Sequence, residues 1–311
     1  MFYNTENFFD TLDDPHTNDA EFLPHGKKEW TSWRYYEKLQ HVFQVIAAVG
    51  ESSPPDIIGF AEIENKSILT DLVHKTLLEK YPYKIVHKDS PDLRGIDVGL
   101  IYRKDKLKCL GYHFFRIDFP NGHARKTRDI VYFKALIQRD TLHVFVNHWP
   151  SRWGGKKKSE PGRMFVASVL KSKTDSILKL YPCARIVIMG DLNDDPTDPS
   201  LTQSLGAKVT ADTPQCGELY NLSAVLRESC HCGSLKYGAG WNMFDQFIVS
   251  GGTLGTKGIH TKVSAVGVAS FPFLLTQDAK YGGHQPFRTY QGPVYKGGFS
   301  DHLPVYLDIF W

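Results

Sequence analysis

The stretch Ala184–Asp194, ARIVIMGDLND, reads as an apolar strand running into a loop that opens on an acid. Ile186 to Met189 are the strand, Gly190 frees the backbone, and Asp191, Asn193 and Asp194 follow at once. One acid after one strand is an ordinary loop residue or helix cap. The pattern recurs, however. IIGFAEI (57–63) carries Glu62 at its end, and HVFVN (143–147) leads into His148. The opening YNTENFFD sets Asn4 and Glu6 after a first strand, and Asp245 begins the strand in FDQFIVS. In GGFSDHLPVYLDIFW, Asp301 and His302 precede a last strand in which Leu303, Val305, Leu307 and Ile309 alternate with Pro304, Tyr306 and Asp308. Together these strand ends would gather acids, amides and two histidines at one edge.

Between the strands lie helical patterns. Tyr35, Leu39, Val42, Phe43, Ile46 and Val49 share one face, with Gly50 as the stop. Asn65 is placed to cap a second helix, and a third is expected from about Gly162. DVGLIYR, DIVYFKALIQ and TLHVFVNHW read as further strands. The stretch 271–299, rich in glycine, proline and aromatics without a clear period, is expected to be a long surface loop, used in binding or mobile. No linker or repeat interrupts the chain, so one domain over 1–311 is expected, with two packed sheets flanked by helices.

The 311 residues are 41% hydrophobic and carry a net charge of +3, which excludes a polycation and requires any phosphate affinity to be local. No apolar run is long enough to span a bilayer, and no signal peptide is visible. Only three residues precede Asn4, so either the first strand is very short or a targeting piece has been lost from the N-terminus. An exported protein is one reading, and the compartment stays open. Cys109 and Cys183 read as small hydrophobes. Cys216, Cys230 and Cys232 leave open a disulfide from Cys216 to either of the other two, and the Cys-His-Cys spacing lacks the second arm of a zinc site.

Several carboxylates without paired cysteines point to a hard divalent cation, Mg²⁺ with Mn²⁺ as the alternative. Without one, clustered carboxylates repel and some must take up protons. A cation of this kind with an activated water suits phosphate ester hydrolysis. Serine-hydrolase and Walker chemistry are excluded, because neither G-x-S-x-G nor G-x-x-x-x-G-K-[ST] occurs.

YNTENFFD, PDIIGFAEIEN, RGIDVGLIYR, VNHWPSRWGG, IVIMGDLNDDP, FDQFIVS and FSDHLPV follow one another in an order that resembles the endonuclease/exonuclease/phosphatase superfamily. The resemblance runs from residue 2 to about 309, and GDLND and SDHLPV are its most specific parts. It implies a four-layer α/β/β/α sandwich, two mixed sheets flanked by helices, with the site at one edge. It makes Glu62 the principal metal ligand, supported by Asn4 and Asp301, with Glu6 available to a second ion. Asp191 would orient or deprotonate the attacking water, and Asn193 would fix substrate or aspartate. His302 would donate to the scissile phosphate with Asp245 holding its tautomer, and His148 would be the second histidine, with Asp97 as its candidate partner. Ala61 stands where many relatives have glutamine, which removes a hydrogen bond near the metal and leaves the ligand itself.

For substrate binding, Arg152 has the best claim among the cations of SRWGGKKKSEPGR, since a guanidinium can grip phosphate with two bonds. Arg94 and Arg128 are weaker candidates, and Trp149, Trp153 and Trp241 read as core before stacking platforms. The expected activity is metal-dependent phosphodiester hydrolysis, first on nucleic acid and DNA in particular. The alternative is a phosphatase or phosphodiesterase for a small or lipid phosphate, such as an inositol phosphate or a sphingolipid head group. No stable protein partner is implied.

Overall fold

The computed structural model describes residues 1–120, 126–230 and 232–311. In chain order its main elements begin with β1 (Phe2–Phe8), α1 (Ser32–Gly50), β2 (Ile57–Ile63), α2 (Lys66–His74), β3 (Tyr83–Val86), β4 (Asp97–Arg103), β5 (Lys108–Phe115) and β6 (Ile130–Ile137). Next come β7 (Asp140–His148), α3 (Lys156–Leu180), β8 (Arg185–Asp191), β9 (Ala207–Lys208), β10 (Leu219–Asn221), α4 (Leu222–Cys230), β11 (Leu235–Tyr237), β12 (Gly240–Asn242) and β13 (Asp245–Ser250). The chain ends with β14 (Val266–Val268), β15 (Leu275–Gln277), β16 (His284–Pro286), β17 (Tyr290–Gln291), β18 (Val294–Tyr295) and β19 (Val305–Leu307).

Two mixed sheets form. One runs β14-β19-β1-β2-β4-β3, and the other β5-β6-β7-β8-β13-β10-β9. Parallel pairs, β1 with β2 and β7 with β8, sit at their centres among antiparallel neighbours. The apolar runs explain why these strands are central, because both of their faces are covered. In β8, Val187 and Met189 join the core between the sheets, while Ile186 and Ile188 pack with Val166, Ala167 and Leu170 of α3. In β2, Ala61 faces the other sheet, and Ile58, Phe60 and Ile63 pack with Leu39, Val42 and Ile46 of α1 and Leu69 and Leu72 of α2. The result is helices, sheet, sheet, helix. The sheets meet closely at Gly59, where a Cβ would lie 2.8 Å from side-chain carbons of both Met189 and Val146.

The helix signals act as expected at α1 and α2. α1 ends at Gly50, and Asn65 caps α2 by accepting a hydrogen bond from Ile68 N. α3 begins earlier than its apolar pattern suggests, at Lys156 rather than near Gly162, so the three lysines form its first turn instead of a loop. The last strand is shorter than its alternation, at Val305–Leu307, and β1 has seven residues rather than being very short. The stretch 271–299 is not an unstructured loop. It contains the pairs β15–β16 and β17–β18, short strands whose turn residues hid their pairing. The cysteines also differ: Cys183 is bonded to Cys216, and Cys230 to Cys232. Cys183 is therefore not an inert small hydrophobe, and residue 231 between the second pair lies outside the described residues.

Candidate active site

Strand register assembles the site. Within the second sheet His148 pairs with Asp191 and Asp191 with Asp245, so the ends of β7 and β8 and the start of β13 set three chemical groups in a row. Within the first sheet Asn4 pairs with Ala61, which brings β1 beside Glu62. Asn4 Nδ2 donates to Asp191 Oδ2 across 3.0 Å and joins the two sheets at this edge.

The backbone is bent where these groups emerge. Register shifts interrupt β1 between Asn4 and Phe8 and β2 between Ala61 and Ile63, and such bulges re-aim side chains. Glu6, Asn7, Glu62 and Asn193 all adopt left-handed φ, from +50° to +62°. For residues with a Cβ that conformation costs on the order of 1 kcal/mol each, and these four gather at the edge where the acids and histidines meet. The bend lets Asn7 N donate to Glu62 Oε2 at 2.8 Å, which fixes that carboxylate.

Asp191 lies between two histidines of opposite character. His302 Nδ1 is 2.6 Å from Asp245 Oδ2, and its Nε2 is 3.9 Å from Asp191 Oδ2. Burial works against its charge, but the Asp245 and Asp191 carboxylates outweigh that and hold the imidazole well above its ordinary value. His148 Nε2 is 3.5 Å from Asp191 Oδ2 and 3.9 Å from Glu62 Oε1. Burial, then Arg128 and Arg94, push it well below its ordinary value, so it is neutral. Asp191 itself is raised to about 7 by burial and by the nearby Asp245 and Glu62, against the opposing pull of His302. One oxygen from each of Asp191 and Asp245 and a ring nitrogen of His302 lie within 4.8 Å of one another, a buried group that could hold a metal ion.

The other expected residues fall in different places. Asn193 N donates to Asp191 Oδ1 at 3.0 Å, so it steadies the aspartate, while its side chain donates to the Trp149 carbonyl. Asp301 accepts from Arg288 Nη2 at 2.6 Å beside His302. Glu6 is turned to the backbone, accepting from Thr289 N and Tyr290 N, and burial and Asp301 raise it to about 7. Asp97 does not partner His148. It accepts from Ser90 N and lies 3.5 Å from His87 Nε2, and His148 Nδ1 has no hydrogen-bond partner among the described residues. Arg128 is buried on Asp92 and the Trp149 carbonyl, whereas Arg94, half exposed, lies 3.5 Å from Asp92.

Arg152 is a correction of substance. Its Nε donates to the Asn193 carbonyl, and Nη2 reaches Asp194, Asp195 and Asp198, so it binds the chain's own carboxylates rather than facing solvent for a phosphate. Lys156 is likewise held by Asp198. Of the tryptophans, Trp149 is fully buried, Trp241 packs against the core, and Trp153 is largely exposed. Sequence reading missed Arg288 and Lys38. Arg288 lay in the stretch read as a loop. Lys38 did leave a signal, a lysine on the apolar face of α1, and it is buried on Thr289 Oγ1 and the Phe299 carbonyl.

A sequence model of the Endonuclease/Exonuclease/phosphatase family matches residues 1–310. The chain belongs to this family. Solved members of similar fold include a mannosyl-6-phosphatase from Bacteroides thetaiotaomicron, at 16% identity and a TM-score of 0.59 over 100% of this chain and 98% of that one. Humanized TDP2 from D. rerio matches at 15% identity and 0.58 over 90% and 94%, and the human nocturnin catalytic domain at 15% and 0.52 over 73% and 77%. No curated protein sequence matches the chain. Membership in the endonuclease/exonuclease/phosphatase family makes the protein a phosphoesterase.

Proposed function

We propose that this edge hydrolyses a phosphodiester by in-line attack of water, with nucleic acid as the first substrate class. The observation that carries the reading is Asp191 set between a charged imidazole and a neutral one. As a carboxylate, Asp191 takes the proton of the attacking water, with Asn4 and the Asn193 amide fixing its two oxygens. His302, kept protonated and oriented by Asp245, donates to an oxygen on which charge builds as the ester P–O bond breaks. Neutral His148, with its proton on Nε2, offers a second donor from the other side.

Glu62, Asn4 and Asp301 would hold Mg²⁺ or Mn²⁺. The donor set is all oxygen, and beside it Asp191, raised first by burial and further by Asp245 and Glu62, is a carboxyl whose charged form a cation would favour. Such an ion supplies Lewis-acid stabilisation of phosphate charge. Glu62, Asp191, Asp245 and Asp301 outnumber His302 and Arg288 by two, an excess that one divalent ion cancels. Similarity to a mannosyl-6-phosphatase along the whole chain supports a second reading, a sugar monoesterase.

The test is a panel of supercoiled plasmid, single-stranded oligonucleotide and hexose 6-phosphate, with Mg²⁺ and with chelator. Mg²⁺-dependent nicking that fades steeply with salt supports the nucleic-acid reading. Phosphate release from the hexose ester with plasmid intact replaces it by the second.

A further inference from the structure

A cavity of about 210 Å³ opens beside the proposed reaction centre, and of its lining only Asp301, a proposed metal ligand, has a part in the proposed chemistry. Asn7 and Asp301 bound it on the side of the centre, the Phe22 and Tyr290 rings wall it, and Lys28 and Arg288 supply its cations. These residues come from the end of β1, the loop after it, and the stretch from Arg288 to Asp301 before β19, far apart in sequence.

The charges are unequal in their partners. Glu6, at the rear, is answered by buried Lys38 and by two backbone N–H groups. Asp301 is answered by Arg288 at 2.6 Å. Lys28 faces no carboxylate within ion-pair distance among the described residues. Its Nζ donates to the Gly292 carbonyl at 2.6 Å and lies 4.8 Å from the centre of the Tyr290 ring and 5.8 Å from that of Phe22. An ammonium has three donors, so two remain for a ligand. The backbone of Lys28 is fixed in place: Lys28 O accepts from Tyr290 Oη at 2.8 Å and Arg34 Nη1 at 2.6 Å, while Lys28 N donates to Glu21 O at 2.8 Å.

We infer that this cavity is a second-phosphate subsite, in which Lys28, flanked by Arg288, receives a phosphate group of the substrate other than the one attacked. The inference rests on the phosphoesterase reading and names a class within it. At about 210 Å³ the cavity is smaller than the ~300–1,000 Å³ of pockets for drug-sized ligands, so it suits one small group rather than a whole nucleoside. The phosphate can belong to the next unit of a nucleic-acid chain or to a small bisphosphate ester.

The test compares the thymidine dinucleotide TpT, which has a single phosphate, with its 5′-phosphorylated form pTpT, and a hexose bisphosphate with the monophosphate. Binding is measured by calorimetry in Ca²⁺, and kcat/KM separately in Mg²⁺. Wild-type protein is expected to bind the more highly phosphorylated member of at least one pair about tenfold tighter, as a charge-assisted contact provides. Lys28→Met, which keeps an apolar stem over Tyr290 and Phe22, erases that preference, and Lys28→Arg retains it. The pair that shows the preference identifies the source of the phosphate. No preference in wild type, or one that survives in Lys28→Met, overturns the subsite. If the binding preference is present but none of these esters is hydrolysed, Lys28 stands as a phosphate-binding site and the proposed hydrolysis of these substrate classes falls.

Discussion

Asp191 and His302 show how burial and neighbours divide two titratable groups into base and acid. The aspartate is raised to about 7 by burial, Asp245 and Glu62 against the pull of His302, and the imidazole is held charged by Asp245 and Asp191 against its burial. Replacing Asp191 by Asn, or His302 by Ala, is expected to lower kcat by at least ~10²-fold with an unchanged circular dichroism spectrum, the range for losing a general base or a charge-stabilising donor. Near-normal turnover in either variant removes that residue from its role. At this scale Asp191, Asp245, His148 and His302 were legible, because each stands at the mouth of an apolar strand. The partner of His148 was not. Asp97 also stands at a strand start, but His87 and Ser90, ten and seven residues before it, claim its carboxyl, and no sequence pattern ranks those contacts.

The loop after β8 shows what an element contributes. Arg152, leaving β7, binds the Asn193 carbonyl and three aspartates, and lies 4.4 Å from the centre of the Phe244 ring next to Asp245. It thereby ties together the exits of β7 and β8 and the start of β13. Arg152→Ala is expected to lower kcat by roughly tenfold or more while KM stays within about twofold, since a displaced loop disturbs Asp191 rather than substrate binding. Arg152→Lys should recover little, because an ammonium cannot make the forked contact. A raised KM with kcat preserved would restore the phosphate-binding role expected from sequence. Helices and central strands were readable because their apolar periods are long. The β15–β18 region and the Arg152 network were not, since two- and three-residue strands carry no period and ion pairs between loops follow no spacing.

Over the whole molecule, buried carboxyls shape stability as well as chemistry. Asp191 rises from an ordinary 3.8 to about 7, and Glu6 from 4.5 to about 7, both first through burial. A raised carboxyl means that the folded chain holds protons the unfolded chain has released. Stability without divalent ion should therefore fall as pH rises from about 4 to about 7, and Mg²⁺ should raise Tm more at pH 8 than at pH 5. Scanning calorimetry at those two pH values checks both signs, and an equal Mg²⁺ effect at each would detach the ion from these acids. The two-sheet architecture was legible in the many apolar strands with few helices between them and in the family resemblance, whereas the link between sheets through Asn4 and Asp191 required the folded register. The most direct measurement is the Mg²⁺ dependence of bis(p-nitrophenyl) phosphate hydrolysis by chelator-stripped protein, wild type against Glu62→Gln. The account predicts saturable dependence on the ion in wild type and a half-saturating concentration at least about tenfold higher in the variant. Turnover that survives chelation, or identical curves for the two proteins, would contradict it.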